Sequence, residues 1–321
     1  MKIAFHDNAM SLFGTTVALY NWAFWGKKLL NFTPIIMYDA THPANNFEVI
    51  QKFKNAFDEN VFCYTNHSEI NQILIDNQCE YFFMEKGGKP DGVISTVCTN
   101  LVNAIAVCSV DDVHGDVFAM GSKWLSSVTD YKIPNVPYIV HLPDIQENLR
   151  SELNIPLDAF VFGRNGGMNT FDISFVKEAI HQVIDSRSDL WFVFQFTEKF
   201  IDHERVIFLP GSSDASYKVK FINTCDAMLH ARSVGESFGM ACGEFSIRNK
   251  PVVTWYGSKE RSHIDILDKL GIYYNDKNDI VDILTNISHR DTLNRDWNAY
   301  REYEPEKVMN KFRDVYLRGK C

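Results

Sequence analysis

Short apolar runs alternate with longer stretches of helical period along most of the chain. Lys2–Phe5 reads as a first strand, followed by a loop and a helical stretch through Lys28, and Thr33–Tyr38 as the next strand. Helix Glu48–Phe57, strand Val61–Tyr64, helix Ser68–Asp76 and strand Tyr81–Met84 continue the alternation. The apolar runs Leu101–Val107 and Val117–Phe118 then precede a helical Ser122–Ser127. Strands separated by helices predict an α/β protein with mostly parallel sheets covered by helices.

The texture changes at YKIPNVPYIVHLP, where three prolines between Tyr131 and Pro143 leave no room for a long helix. A domain boundary is expected there. The alternation resumes with helix Ile145–Leu153, strand Ala159–Gly163, helix Phe171–Ser186, and strands Trp191–Gln195 and Val206–Leu209. Helix Ser216–Thr224, strand Ala227–Leu229, strand Val252–Thr254 and helix Ile264–Leu270 follow, and Trp297–Leu317 carries a polar, aromatic-studded helical pattern. The organisation expected is two consecutive Rossmann-like domains, residues 1–142 and 143–295, with 296–321 as a C-terminal helix. Ligands of such folds bind at the carboxyl ends of the strands, hence in a cleft between two facing domains.

Composition narrows the function. A length of 321 residues suits two ordinary domains, and a net charge of −9 argues against a nucleic-acid binder working through a basic surface. Seven cysteines without a C-x-x-C pair read as reduced thiols in a cytoplasmic setting. Leu12–Trp25 is apolar-rich but interrupted by Gly14, Thr15, Thr16 and Asn21, and too short to span a bilayer. No basic amphipathic helix speaks for membrane association, and no His or Cys spacing suggests a metal site. Asp111 and Asp112 are adjacent, so in a strand they would point to opposite faces.

The stretch ESFGMACGEF carries Glu236 and Glu244 around a Phe-Gly step, between strand Ala227–Leu229 and strand Val252–Thr254. A helix opening near Phe238 would aim backbone N–H groups of Ser237, Gly239 and Met240 at an anion. Were the whole stretch helical, the two carboxylates would stand about 12 Å apart along its axis. Carboxylates accept hydrogen bonds from sugar hydroxyls, so the pair could clamp the two ends of one polar ligand. Taken alone, two solvated surface glutamates explain the pattern better. GRNGG, after a strand, adds Arg164 for phosphate oxygens, with Gly166 beside it leaving room for the ligand, although Arg164 also suits a surface ion pair.

The order of these features resembles the GT-B-fold glycosyltransferases, in particular the retaining, family 4-like group with a Glu-x7-Glu motif. LRSELNIPLDAFVFGRNGG resembles its lead-in helix, strand and phosphate turn. VIFLPGSSDASYKVKFINTCDAMLHARS resembles its base-binding loop, helix and strand, and ESFGMACGEFSIRNKPVV the motif itself. EKVMNKFRDVY resembles the terminal helix that returns to the first domain. The resemblance implies transfer of a sugar from a nucleotide diphosphate sugar, the donor substrate, to a glycan, lipid or small-molecule hydroxyl, without cofactor or metal. It implies that Glu236 contacts the donated sugar and Glu244 the ribose. It further implies that Ser237, Phe238, Gly239 and Met240 face the diphosphate, Arg164 stabilises it, and Leu209 and Pro210 lie by the base. In the first domain Gly14 resembles the loop that nears the donor, and His114 the histidine near the donor sugar, with His6 a second candidate. His230 and Arg232 close the set at a strand end. The family's lysine after the arginine is missing: Asn169 and Thr170 stand there, with Arg232 and Lys259 as candidate substitutes. A non-catalytic nucleotide-sugar binding protein or partner subunit is the alternative.

Overall fold

The computed structural model describes residues 1–317. It divides into two units, one of Met1–Ile139 with the segment from Glu302 onward, the other Val140–Arg301.

The first unit is built from β1 (Lys2–Asp7), α1 (Gly14–Leu29), β2 (Thr33–Asp39), α2 (Phe47–Phe57), β3 (Val61–Tyr64), α3 (Ile70–Asp76), β4 (Tyr81–Lys86), β5 (Thr99–Ala104), β6 (Val117–Met120) and α4 (Lys123–Val128). Its six strands are parallel in the order β3-β2-β1-β4-β5-β6. All six residues of β4 are buried, as expected of a strand covered on both faces. β5 stops at Ala104, short of the expected Val107, because Ile105 leaves the ladder after one bond to the Lys86 carbonyl (2.9 Å).

The second unit repeats the arrangement: β7 (Phe160–Asn165), α5 (Ser174–Val183), β8 (Leu190–Gln195), β9 (Val206–Leu209), α6 (Ala215–Thr224), β10 (Ala227–His230), β11 (Gly235–Glu236), α7 (Met240–Ile247), β12 (Val252–Trp255), β13 (Glu260–Arg261), α8 (Ser262–Leu267), β14 (Gly271–Tyr274), α9 (Lys277–Asn286) and α10 (His289–Leu293). Its main sheet runs β14-β12-β10-β7-β8-β9, all parallel, and the short β11 and β13 pair separately. Counted within each unit, the two six-stranded sheets have one strand order. The chain turns back beside its first strand at β1/β4 in one and at β7/β10 in the other. Such a switch point opens a crevice at the carboxyl ends of the strands.

Two expected helices differ. Ile145–Leu153 is not a helix but a series of turns, with one helix-like bond from Leu153 N–H to the Leu149 carbonyl. Side chains take the other backbone groups: Thr224 Oγ1 accepts from Leu149 N–H, Asn148 caps Arg150 N–H, and Asn223 and Arg248 donate to the Ile145 carbonyl. Asn154 then turns left-handed (φ 55) ahead of Pro156. The pattern from Trp297 becomes a helix only at α11 (Pro305–Tyr316), where proline takes the first helical position and restricts Glu304 to extended backbone. Trp297 itself is held by Asn249 and Ser246.

α11 packs on the first unit. Phe312 and Tyr316 lie against Phe83, and the Tyr316 hydroxyl donates to the Val102 carbonyl (3.0 Å). The end of the expected terminal segment, 318–321, lies outside the described residues. Among those described, no helix is long and apolar enough to cross a membrane.

Candidate active site

The second unit's switch point lies between β7 and β10, and the residues that end these strands are Arg164, Asn165 and His230. β10 carries the chain into Arg232 and then β11, where Gly235 and Glu236 pair with Glu260 and Arg261. Glu236 is therefore extended, not helical. The helix opens later, at Met240, with Gly239 as its N-cap in the left-handed region (φ 91). A side chain on Gly239 would meet His263 Cβ at 2.9 Å and the Tyr300 hydroxyl at 3.0 Å, so backbone conformation and crowding both demand glycine. The expected 12 Å helical separation of the glutamates does not apply. Only Met240 to Glu244 is helical, about 6 Å of rise. The N–H groups that open α7 belong to Met240, Ala241 and Cys242, and the first helical bond runs from Gly243 N–H to the Gly239 carbonyl (2.9 Å). Ser237 and Phe238 belong to the preceding turn. The Tyr300 hydroxyl braces it by donating to the Phe238 carbonyl (3.2 Å).

Glu236 is the centre of a connected set. Its Oε1 lies 3.2 Å from His230 Nε2 and its Oε2 accepts from Arg232 Nη1 at 2.9 Å. Behind it, Thr254 Oγ1 stands 2.8 Å from His230 Nδ1 and 3.1 Å from His263 Nε2. An ionised carboxylate only accepts, which assigns the proton of His230 to Nε2. Thr254 Oγ1 links the other ring nitrogen of His230 to His263 Nε2, and His263 Nδ1 is buried without a hydrogen-bond partner. Burial pushes the Glu236 carboxyl up, but the hydrogen bond and charge of His230, with Arg232, outweigh it and hold the group at about 2. Burial, then His230, pulls His263 down to about 3, so it stays neutral.

Glu244 lies on the second turn of α7, 3% exposed, and is held by Lys218 Nζ of α6 at 2.7 Å. Neither Lys218 nor the His263–Thr254 pair was singled out from sequence. A lysine four residues into a helix after Asp214, and a Thr in a buried strand, carry no motif that would mark them.

Arg164 stands differently from its expected phosphate-facing role. It is 3% exposed, and protein oxygens occupy its fork. Nη1 donates to Thr197 Oγ1 and to the Phe196 carbonyl (3.3 Å), Nη2 to Thr170 Oγ1 and to the Gly167 carbonyl (3.0 Å). Gly166 makes room for Arg164 itself, since a Cβ there would meet Nη2 at 2.6 Å. Thr170, one of the two positions where a lysine was expected, thus anchors the arginine. Burial lowers the guanidinium to about 10, Glu236 partly opposing it. Of the candidate substitute cations, Arg232 is bound to Glu236 and Lys259 is exposed. Leu209 ends β9 and the exposed Pro210 follows it, both at the carboxyl end of the sheet.

In the first unit, Gly14 opens α1 after β1, at the carboxyl end of its sheet. His6 lies at that end too, bonded to the Tyr64 hydroxyl (2.7 Å). His114 does not. It precedes β6, whose Val117 pairs with Leu101, so it sits at the amino-terminal end of the sheet. Its Nδ1 is 2.8 Å from the Asp112 carbonyl and its ring meets Phe118 edge-on. Its place just before a strand sets it at the amino-terminal end of a parallel sheet, away from the end where the resemblance would have it. Among the described residues no three His, Cys, Asp or Glu side chains are arranged to hold a metal ion.

No family model matches the sequence, and no curated protein matches it. Solved structures do. HepE of Anabaena, in complex with UDP and glucose, superposes with a TM-score of 0.72 at 12% identity, covering 99% of this chain and 100% of that one. A glycosyltransferase from Rickettsia africae gives a TM-score of 0.67 at 11% identity, over 99% of each chain. MnaA of S. aureus, in complex with UDP, gives 0.61 at 13% identity, over 98% of this chain and 96% of that one. The fold of this chain, two parallel six-stranded sheets with helices, is that of the GT-B glycosyltransferase structures.

Proposed function

We propose that the chain is a glycosyltransferase that moves a sugar from a nucleotide diphosphate sugar to an acceptor hydroxyl with retention of anomeric configuration. The second unit binds the donor and the first unit takes the acceptor. The observation that carries this reading is the ionised Glu236, held by His230 and Arg232 at the carboxyl end of β10, one turn ahead of a helix opened by left-handed Gly239. Glu236 accepts hydrogen bonds from the donated sugar's hydroxyls, and Glu244, steadied by Lys218, from the ribose. The turn at Ser237 and Phe238 and the N–H groups opening α7 meet the diphosphate. Backbone at Leu209 and Pro210 lies beside the base.

Arg232, bound to Glu236 and partly exposed, supplies the accessible positive charge, while Arg164 holds the loop at Gly166 and Gly167 in shape and contributes its field from behind. The leaving group does the proton chemistry. As the bond from the anomeric carbon to the diphosphate oxygen breaks, the acceptor oxygen bonds to the same face of that carbon, and its proton passes to the departing phosphate. The protein orients the reactants and stabilises charge without itself forming a bond, and no step is assigned to a metal. Structures of HepE with UDP and with UDP-glucose, and of MnaA with UDP, support UDP-sugars as the first donors to try.

A second reading is a nucleotide-sugar binding protein without transfer. The occupied fork of Arg164 and the threonine at a lysine's place favour it. Incubation with UDP-, GDP- and ADP-sugars, watching nucleotide release and melting temperature together, separates the two. Transfer predicts slow release that Glu236→Gln abolishes. A raised melting temperature without release supports the binder, and no response to any nucleotide contradicts both.

A further inference from the structure

The two basic neighbours of Glu236 differ in character. Arg232, on Oε2, is partly exposed, whereas His230, on Oε1, is buried. An exposed side chain can swing to follow a ligand and a buried ring cannot, so His230 sets the direction of the carboxylate. What sets His230 is its neighbour across the sheet. His230 of β10 pairs with Thr254 of β12, which brings both side chains to one face, with Thr254 Oγ1 2.8 Å from His230 Nδ1. Thr254 is buried and β-branched, so its hydroxyl has few positions open to it. Its second contact is Nε2 of His263, at 3.1 Å.

His263 belongs to α8, which starts at Ser262, directly after the short ladder in which Glu260 and Arg261 pair with Gly235 and Glu236. The backbone thus ties this helix to Glu236, and the series His263, Thr254, His230 ties its side chain to the carboxylate as well. The His263 ring packs on that of His230, with centroids 4.8 Å apart. Its Cβ backs the turn that follows Glu236, 2.9 Å from where a Cβ on Gly239 would lie. Stability alone does not call for an imidazole at this place. The residue is 0% exposed and its Nδ1 has no hydrogen-bond partner, and a buried polar atom left unpaired is destabilising. An apolar ring would avoid that loss and keep the packing. What it could not do is hold the Thr254 hydroxyl, the one hydrogen bond that the His263 side chain makes among the described residues.

We propose that His263 is a positioning residue of the donor site, which through Thr254 and His230 holds the Glu236 carboxylate in the direction that sugar transfer needs. The role rests on the glycosyl-transfer reading of Glu236. Its test is a double-variant cycle on nucleotide release, measured with whichever of UDP-glucose, GDP-mannose and ADP-glucose the unaltered protein cleaves fastest. His263→Phe keeps the ring and its packing but loses the bond to Thr254, with His263→Leu in its place should the larger ring not fit. Either is expected to lower kcat about fivefold, with the donor KM and the melting temperature little changed. Thr254→Val is expected to lower kcat by the same factor. Because His263 acts through Thr254, the two changes together should still cost about fivefold, where independent effects would multiply to about 25-fold. His263→Gln, whose amide can meet the Thr254 hydroxyl, should return kcat to within about twofold of the unaltered protein. Release by His263→Phe or His263→Leu at the unaltered rate, a multiplied loss in the double variant, or no rescue by His263→Gln overturns the role. No release by the unaltered protein from any of the three donors is a different result, which removes the transfer reading and this role with it.

Discussion

Between β7 and β10 the charged groups are paired: Glu236 with His230 and Arg232, Glu244 with Lys218, Arg164 with four protein oxygens. Between β1 and β4, in a sheet of the same strand order, the buried Glu85 carboxyl forms no ion pair among the described residues and takes a hydrogen bond from the Tyr138 side chain. The same topology thus ends in two electrostatic states. The paired end is preorganised, with the Glu236 carboxylate kept ionised by neighbours in place before any ligand arrives. At the other end burial, then Asp7, disfavours the charged form of Glu85. One end carries fixed, paired charge, the other a carboxyl held toward its uncharged form.

The contrast can be broken most forcefully at Lys218. Lys218→Met strands the Glu244 carboxylate in the interior, which is expected to cost about 3–5 kcal/mol near neutral pH. Denaturant unfolding should show the loss. Next comes Glu236→Gln, expected to lower turnover about 100-fold or more, roughly 3 kcal/mol of transition-state stabilisation. Arg164→Ala should lose more stability than Glu236→Gln, as well as turnover, because it leaves the Gly167 and Phe196 carbonyls and two threonine hydroxyls without their donor. A melting temperature unchanged in Arg164→Ala would show that the arginine faces ligand instead. Thr254→Val interrupts the chain from His263 to Glu236 and should cost about 1 kcal/mol in turnover, with the KM for donor little changed.

The smallest effects have opposite signs at the two ends, which sharpens the comparison. Glu236 has a depressed pKa in the fold, so it contributes stability above its ordinary value of 4.5, and that contribution is lost as pH falls toward about 2. The melting deficit of Glu236→Gln should therefore vanish in acid. Glu85 is raised, so the unfolded chain releases its proton first and stability declines as pH climbs above 4.5. The melting advantage of Glu85→Gln over the unaltered protein should grow as pH rises above 4.5. Scanning calorimetry from about pH 2 up to neutral pH checks both.

The alternation of apolar runs and helical periods was enough to read two α/β units, because strands buried on both faces such as Phe160–Asn165 are apolar along much of their length. It misread Ile145–Leu153, where spacing suits a helix but Thr224, Asn223 and Arg248, all distant in sequence, claim the backbone. It also passed over β14 and α9, whose polar residues blur the period. In the site, Glu236, Gly239, His230 and Arg232 come together as the strand–turn–helix order suggested, since they are neighbours along one segment. His114 falls at the far end of its sheet, Arg164 turns inward, and Lys218, Thr254, His263 and Glu85 were invisible. All but His114 depend on which residues the fold brings side by side, which spacing along the chain does not show.

The central claim is that Glu236 with its two basic neighbours serves a nucleotide-sugar donor. Nucleotide release from UDP-glucose and other UDP-sugars, compared between the unaltered protein and Glu236→Gln at a temperature where both are folded, tests it most directly. The account predicts release by the unaltered protein and at most about a hundredth of that rate in the variant. Equal release from both, or none from either alongside a melting temperature that no nucleotide raises, would contradict it.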